Sequence, residues 1–174
     1  MRNGLFNNSK VIKMIDTIKK RRSIRNYTPD PIPEKDLYEI LSAGLYAPSG
    51  KNRQPWRFLV VKDKDELKRI SKFTTYSRFI RNAPALALLF AVPSKEYPIE
   101  KDILSVGACV QNILLTATDM GYGSCVIGEL YSLELEILGM KSCDYKLICG
   151  ISIGKSNVKL PGHKIMQIDD YLIY

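Results

Sequence analysis

The chain has 174 residues, 45% of them hydrophobic and 25% charged, which suits one folded domain with a substantial core and excludes wholesale disorder. Its 26 Lys+Arg against 18 Asp+Glu give a net charge of +8. No zinc finger, RNA-recognition signature or long basic helix accompanies that excess, so a nucleic-acid role ranks well behind a bound phosphate.

The stretch 1–10 reads as a flexible arm and 11–174 as a single domain, with no repeat or Gly/Ser linker dividing it. Asn3, Asn7, Asn8 and Ser9 break up Leu5 and Phe6, leaving no signal-peptide core, so the expected compartment is the cytoplasm. Val11, Ile12, Ile15 and Ile18 follow helical spacing and lead into the cations Lys19, Lys20, Arg21, Arg22 and Arg25. The stretch 27–33 is punctuated by proline and extended. Pro33 can then open a helix with Glu34 and Asp36 in its first turn, Leu37, Ile40, Leu41 and Leu45 as its buried stripe, and Pro48 at its end. Residues 56–61 read as a strand, 65–71 as a short helix, and 85–92 as a strand buried on both faces. The longest apolar stretch, 83–92, carries Pro84 and is too short to span a bilayer, so no membrane partner is expected. The longest helix is expected over 102–120, with Ile103, Val106, Val110, Ile113, Leu114 and Ala117 as a broad apolar face and Gly121 as its C-terminal cap. Strands at 124–127 and 146–153 come next, separated by a short helix over 133–138. The tail 165–174 ends in apolar residues that need a partner surface. The pattern is α+β: a central sheet, mixed or antiparallel rather than strictly βαβ, packed between helices.

Cys109, Cys125, Cys143 and Cys149 have no C-x-x-C spacing, and the first two sit among apolar residues as buried thiols do. His163 is the only histidine, so no His-rich metal site exists and no metal is expected. Three segments carry polar chemistry. The first is Arg21-Arg22-Ser23-Ile24-Arg25-Asn26-Tyr27, in which alternate side chains of an extended run can converge on one anionic ligand. The second, Ala47-Pro48-Ser49-Gly50-Lys51-Asn52-Arg53-Gln54-Pro55-Trp56, is a polar loop whose amides suit a heteroaromatic ring that both donates and accepts hydrogen bonds. The third, running from Gly121 to Gly128, has glycines that let backbone approach a flat ligand, but it is neither a dinucleotide fingerprint nor a P-loop. Each alone also fits an ordinary structural use: a solvated helix end, a turn, a helix cap.

Together and in this order, R-R-S-x-R-x-Y, A-P-S-x-x-N-x-Q-P-W and G-x-G-S-C-x-I-G make the chain resemble the nitroreductase family of FMN enzymes from about Met14 onward. The resemblance implies a nitroreductase-like α+β fold and a domain-entwined homodimer with two FMN sites at its interface. It also implies an FMN-dependent oxidoreductase that takes hydride from NADH or NADPH and reduces nitroaromatics, quinones or activated alkenes. Carried over by position, Arg21 and Ser23 would serve the FMN phosphate and ribityl chain and Arg25 the pyrimidine edge, with Arg22 also counted in the cofactor site. Pro48, Ser49 and Asn52 would reach the flavin of the other subunit, with Gln54 supporting their loop. Ile127 and Gly128 would lie against the isoalloxazine, and Lys164, or else Lys159 or His163, would close the phosphate site. No side chain is assigned as catalytic, since the cofactor carries the redox chemistry. Val126 stands where many relatives carry a bulky aromatic, and the segment 93–101 is short, both of which point to an open pocket. The alternatives are a flavin carrier or sensor without turnover, and a family branch with other chemistry, such as dehalogenation or flavin breakdown.

Overall fold

Every residue of strand β2 (Ala85–Ala91) is apolar and buried, so this strand needs a cover on both faces and sets the architecture around it. The computed structural model describes residues 8–130, 138–139, 144–158 and 167–173. β2 pairs antiparallel with β1 (Trp56–Val61), placing Trp56 opposite Ala91, and with β4 (Lys146–Gly154), placing Ala85 opposite Ile153. β3 (Gly123–Ile127) pairs antiparallel with β4 and forms the far edge, giving the order β1-β2-β4-β3.

Side chains of β2 alternate between two cores, as the period of a strand requires. Ala85, Ala87, Leu89 and Ala91 face α2 (Glu34–Ala43) and α5 (Ile99–Asp119), where Ile40, Val106, Cys109 and Ile113 pack. Leu86, Leu88 and Phe90 face α3 (Lys64–Ile70) and α4 (Ser77–Arg81), through Leu67, Ile70, Phe79 and Ile80. Three alanines on the α5 side leave room for the longest helix to lie close to the sheet. α1 (Asn8–Lys20) takes in Asn8, Ser9 and Lys10 of the expected arm and is tied to the end of α5 by a Thr17 hydroxyl donated to Asp119 at 3.2 Å.

The α+β class and the sheet between helices stand as expected, and the pairing of the four strands is antiparallel throughout. Several details differ. α2 ends at Ala43, before Pro48, and a 3-10 turn over Gly44–Tyr46 succeeds it, which swings Leu45 outward to 49% exposure. Gly44 is needed there because a Cβ would lie 2.6 Å from Cys109 Sγ. α5 begins at Ile99, and Asp102, Ser105, Val106 and Cys109 turn toward the interior, so Ile103, expected on the inward face, lies out with Leu104. α4 had no expectation at all. The short helix over 133–138 falls outside the described residues save Leu138, as does Cys143. In the tail, Ile168–Tyr171 form a 3-10 turn, and Ile168, Tyr171, Leu172 and Ile173 are exposed.

Cys109 and Cys149 are buried in the α5-side core, and burial pushes both thiols from 9.0 up to about 12. The native state therefore keeps protons that the unfolded chain releases. The stability this contributes is intact below about pH 9 and is lost as pH rises toward about 12. Urea midpoints should fall between neutral pH and about pH 10, and Cys149→Ala should lose less over that interval than the wild type.

Candidate active site

The end of α1 fixes where the site begins. Lys19 and Lys20 occupy its last turn, and the Arg22 guanidinium donates to the carbonyls of Lys19 at 2.6 Å and Arg21 at 2.8 Å, so Arg22 closes the helix. The chain then runs extended beside the edge strand β3. Ser23 bridges Ser124, and the Ile24 N–H donates to the Ser124 carbonyl at 2.9 Å.

This short pairing separates two clefts. Arg22 and Ile24 line one of about 570 Å³, together with Lys19, Lys20, Asp16 and Gly123. Arg25 lines the other, of about 450 Å³, with Tyr76, Phe79, Val126, Ile127, Gly128 and Glu129. The odd-numbered side chains share a side, since Ser23 and Arg25 both hydrogen-bond the Cys125 thiol and Arg21 lies close enough to act on it. Burial pushes that thiol up, opposed first by the Arg25 charge, then by the Ser23 and Arg25 hydrogen bonds and the Arg21 charge. Cys125 is thus a neutral buried group around which two guanidiniums and a hydroxyl gather.

The second cleft has an apolar wall and a charged rim. Arg25 sits 5.9 Å from the centre of the Phe79 ring, and Tyr76 packs on Phe79 at 5.6 Å between centroids. Val126 is 38% exposed, and a Cβ built on Gly128 would meet nothing within 4 Å, so strand and adjoining backbone lie open to a flat ligand. Across the opening, Glu129 accepts the Thr75 hydroxyl at 3.1 Å. β3 is delivered here by the end of α5. Gly121 takes φ +80°, with its N–H bonded to the Thr118 carbonyl at 3.1 Å and the Tyr122 N–H to that of Ala117 at 2.8 Å, a paired helix stop that favours glycine. Ser124 Oγ is buried beside this segment with no hydrogen-bond partner among the described residues.

Pro48, Ser49, Asn52 and Gln54 stand elsewhere. Their loop leads into β1, the opposite edge strand, three strand spacings or about 14 Å from β3 across the sheet. The loop is built to hold a fixed shape. Lys51, Asn52 and Gln54 have φ of 53°, 53° and 49°, left-handed values that non-glycine residues adopt at a cost. Ser49 Oγ accepts the Gln54 N–H at 3.0 Å, and the Gln54 amide donates to Asn52 Oδ1 at 3.3 Å. Arg53 forks onto the fully buried Asp102 of α5, both contacts 3.4 Å, and stacks over Tyr97 at 5.1 Å. Gly50 is required because a Cβ would overlap the Tyr97 hydroxyl. The loop exposes Pro48, Asn52 and Gln54, and within one chain it does not meet the Arg25 cleft. Lys164, Lys159 and His163 lie outside the described residues.

Sequence reasoning missed the aromatic wall from α4, the gathering role of Cys125 and the Arg53–Asp102 anchor. Among the described residues no group of three His, Cys, Asp or Glu could hold a metal, and no helix is long and apolar enough to cross a membrane.

Comparison with known proteins agrees with this fold. The family model described as the Nitroreductase family matches residues 18–75 and 72–155. A protein of Archaeoglobus fulgidus, provisionally named NADH dehydrogenase/NAD(P)H nitroreductase, is 40% identical over 118 residues, covering 67% of this chain and 66% of its own length. An iodotyrosine deiodinase of Thermotoga neapolitana is 32% identical over 139 residues, 65% of this chain and 73% of that one. Among solved structures, a provisionally assigned nitroreductase of Desulfovibrio desulfuricans in complex with FMN superposes with a TM-score of 0.79 at 29% identity, covering 92% of this chain and 95% of that one. With a family model matched over most of its length and an architecture shared nearly end to end, the chain belongs to the nitroreductase family.

Proposed function

We propose that the chain is an FMN-dependent NAD(P)H oxidoreductase acting on nitroaromatics, quinones or activated alkenes, and that it works as a homodimer with its flavin sites at the interface. The observation that carries the reading is the convergence of Arg21, Ser23 and Arg25 on one side of an extended segment, next to an open cleft floored by β3. These residues fit FMN. Two guanidiniums and a hydroxyl suit its phosphate, ribityl chain and pyrimidine edge, and the apolar wall of Phe79, Val126 and Ile127 suits its ring system. A cleft of about 450 Å³ lies within the usual range of ligand sites.

When bound, FMN supplies hydride transfer between a nicotinamide and an acceptor that occupy the cleft in turn. The chain's own residues bind and orient. Arg21 and Ser23 anchor the anionic end, while Arg25 places a fixed positive charge where negative charge grows on reduction. The Phe79 ring lies 5.9 Å from the Arg25 guanidinium and backs it on one side of the cleft. Ile127 and Gly128 offer backbone to the ring face. The exposed Val126 leaves the cleft wide, which favours varied flat acceptors over one tightly held substrate.

The dimer is supported by two features. Pro48, Ser49 and Asn52 belong to a stiffened loop at the far edge of the sheet, about 14 Å from β3, where a second copy would bring its flavin to them. Met14, Ile15 and Ile18 on α1, Tyr46 after α2, Leu104 on α5 and Ile173 in the tail present apolar surface to solvent. Lys164 is our choice for the cation closing the phosphate site. Sedimentation velocity of the FMN-loaded protein should give a single species of twice the chain mass, and a flavin-loaded monomer would contradict the shared site. Steady-state assays with NADH or NADPH should show acceptor-dependent nicotinamide oxidation. The likeness to an iodotyrosine deiodinase makes reductive dehalogenation the second reading, which iodide release from a halotyrosine in the absence of quinone turnover would favour.

A further inference from the structure

Between Ser23 and Arg25 lies Ile24, whose two backbone polar groups are both held. Its N–H donates to the Ser124 carbonyl at 2.9 Å, and its carbonyl accepts the Tyr27 hydroxyl at 2.5 Å. Tyr27 Oη also stands 2.7 Å from Ser152 Oγ, and Ser152 is a fully buried serine on the interior strand β4. A phenol has one proton to give. With that proton committed to the Ile24 carbonyl rather than to the more distant Ser152 carbonyl at 3.2 Å, Ser152 must be the donor to Tyr27. Its alternative acceptor, the Cys125 carbonyl, is 3.4 Å away, outside the range of a good O–H bond. The result is a directed chain from the Ser152 hydroxyl to the Tyr27 hydroxyl to the Ile24 carbonyl.

Residue 154 is glycine, and a Cβ there would lie 2.5 Å from Pro84 Cδ and 2.9 Å from Tyr27 Cδ1, so the Tyr27 ring packs against bare backbone. Burial holds the phenol far above its ordinary range, so Tyr27 remains a donor at any working pH. A buried hydroxyl on a core strand is costly unless it is paired, and Ser152 has a single well-placed partner. That partner fixes a segment with side chains, flanking Ile24, that gather on Cys125.

We propose that Tyr27 and Ser152 are positioning residues, locking the Ile24 backbone in the register that aims Ser23 and Arg25 at the flavin. The proposal rests on the flavin reading of the Arg25 cleft. It is tested with Tyr27→Phe and Ser152→Ala in the full chain, each made with Arg25 intact and again with Arg25→Ala. FMN dissociation constants and flavin midpoint potentials are measured for every variant, with thermal midpoints as the control for folding.

With Arg25 present, Tyr27→Phe should weaken FMN binding roughly tenfold, the scale of one lost buried hydrogen bond. It should also make the flavin harder to reduce, because the Arg25 charge is no longer held in place. Ser152→Ala should shift both quantities in the same direction by less. In the Arg25→Ala background the Tyr27→Phe loss should shrink, since part of what it positions is gone. Equal losses in both backgrounds with an unmoved potential would mean a merely structural role and overturn the proposal, as would unchanged affinity. A folded wild-type chain that takes up no FMN would instead overturn the flavin reading, and this proposal with it.

Discussion

Arg25→Ala should weaken FMN binding by roughly ten- to a hundredfold, the range expected for losing a charge-assisted contact to a ligand. The Arg25 guanidinium is held from two sides, by the Cys125 thiol and by the face of Phe79 at 5.9 Å. A side chain fixed in this way gives up little entropy on binding, so most of its interaction appears as affinity. In the proposed site its charge would stand where the ring becomes more negative on reduction, so the loss should be larger for reduced than for oxidised flavin, and the midpoint potential should fall. Fluorescence titration of FMN and an anaerobic redox titration check the two parts separately. Unchanged affinity and potential would remove Arg25 from the site. Arg25→Lys should recover part of the potential but less of the affinity, since an ammonium keeps the charge and loses the planar fork.

Gly123→Ala should be nearly as damaging without touching the ligand. A Cβ at this position would stand 2.6 Å from Ile24 Cγ2 and 2.8 Å from Ile24 Cβ. Ile24 cannot move away simply, because its N–H is bonded to Ser124 and its carbonyl to Tyr27. The clash must therefore push the Ser23–Arg25 backbone off the edge of β3. The expected cost is about 1–3 kcal/mol of stability, typical of overpacking, together with loss of most FMN affinity. Chemical denaturation and flavin titration on the same preparation check it. Wild-type stability and affinity would show that the segment is less tightly docked than its contacts imply.

These two positions also show what could be read from the residues alone. The elements that set the frame were legible because their patterns are long: the apolar run of β2, the repeating stripe of α5, the glycine stop at Gly121. α4 was not, since the five residues Ser77–Arg81 are too few to display a helical period. Its Phe79, which backs Arg25, went unseen with it. Ile103 misled because a helix with apolar residues on most sides does not reveal which arc meets the sheet, and buried Asp102 and Ser105 took the inward places.

The site shows the same division. Arg21, Ser23 and Arg25 share a side because extended chain alternates, which spacing alone can show. That Cys125 is their meeting point depends on how β3 docks, which spacing cannot show. The Arg53–Asp102 anchor joins residues 49 apart in the chain, and the Tyr27–Ser152 bond joins residues 125 apart. Such pairs carry no local signal. The separation of the 48–54 loop from the Arg25 cleft comes from strand order, which no local motif encodes.

The most direct test of flavin chemistry in this protein is the visible absorption spectrum of the purified chain supplied with FMN, recorded anaerobically on addition of NADH or NADPH and then of a quinone. Bound-flavin bands that bleach with the nicotinamide and return with the quinone are the expected result. A folded protein that retains no flavin, or one with bands that neither nucleotide bleaches, would contradict it.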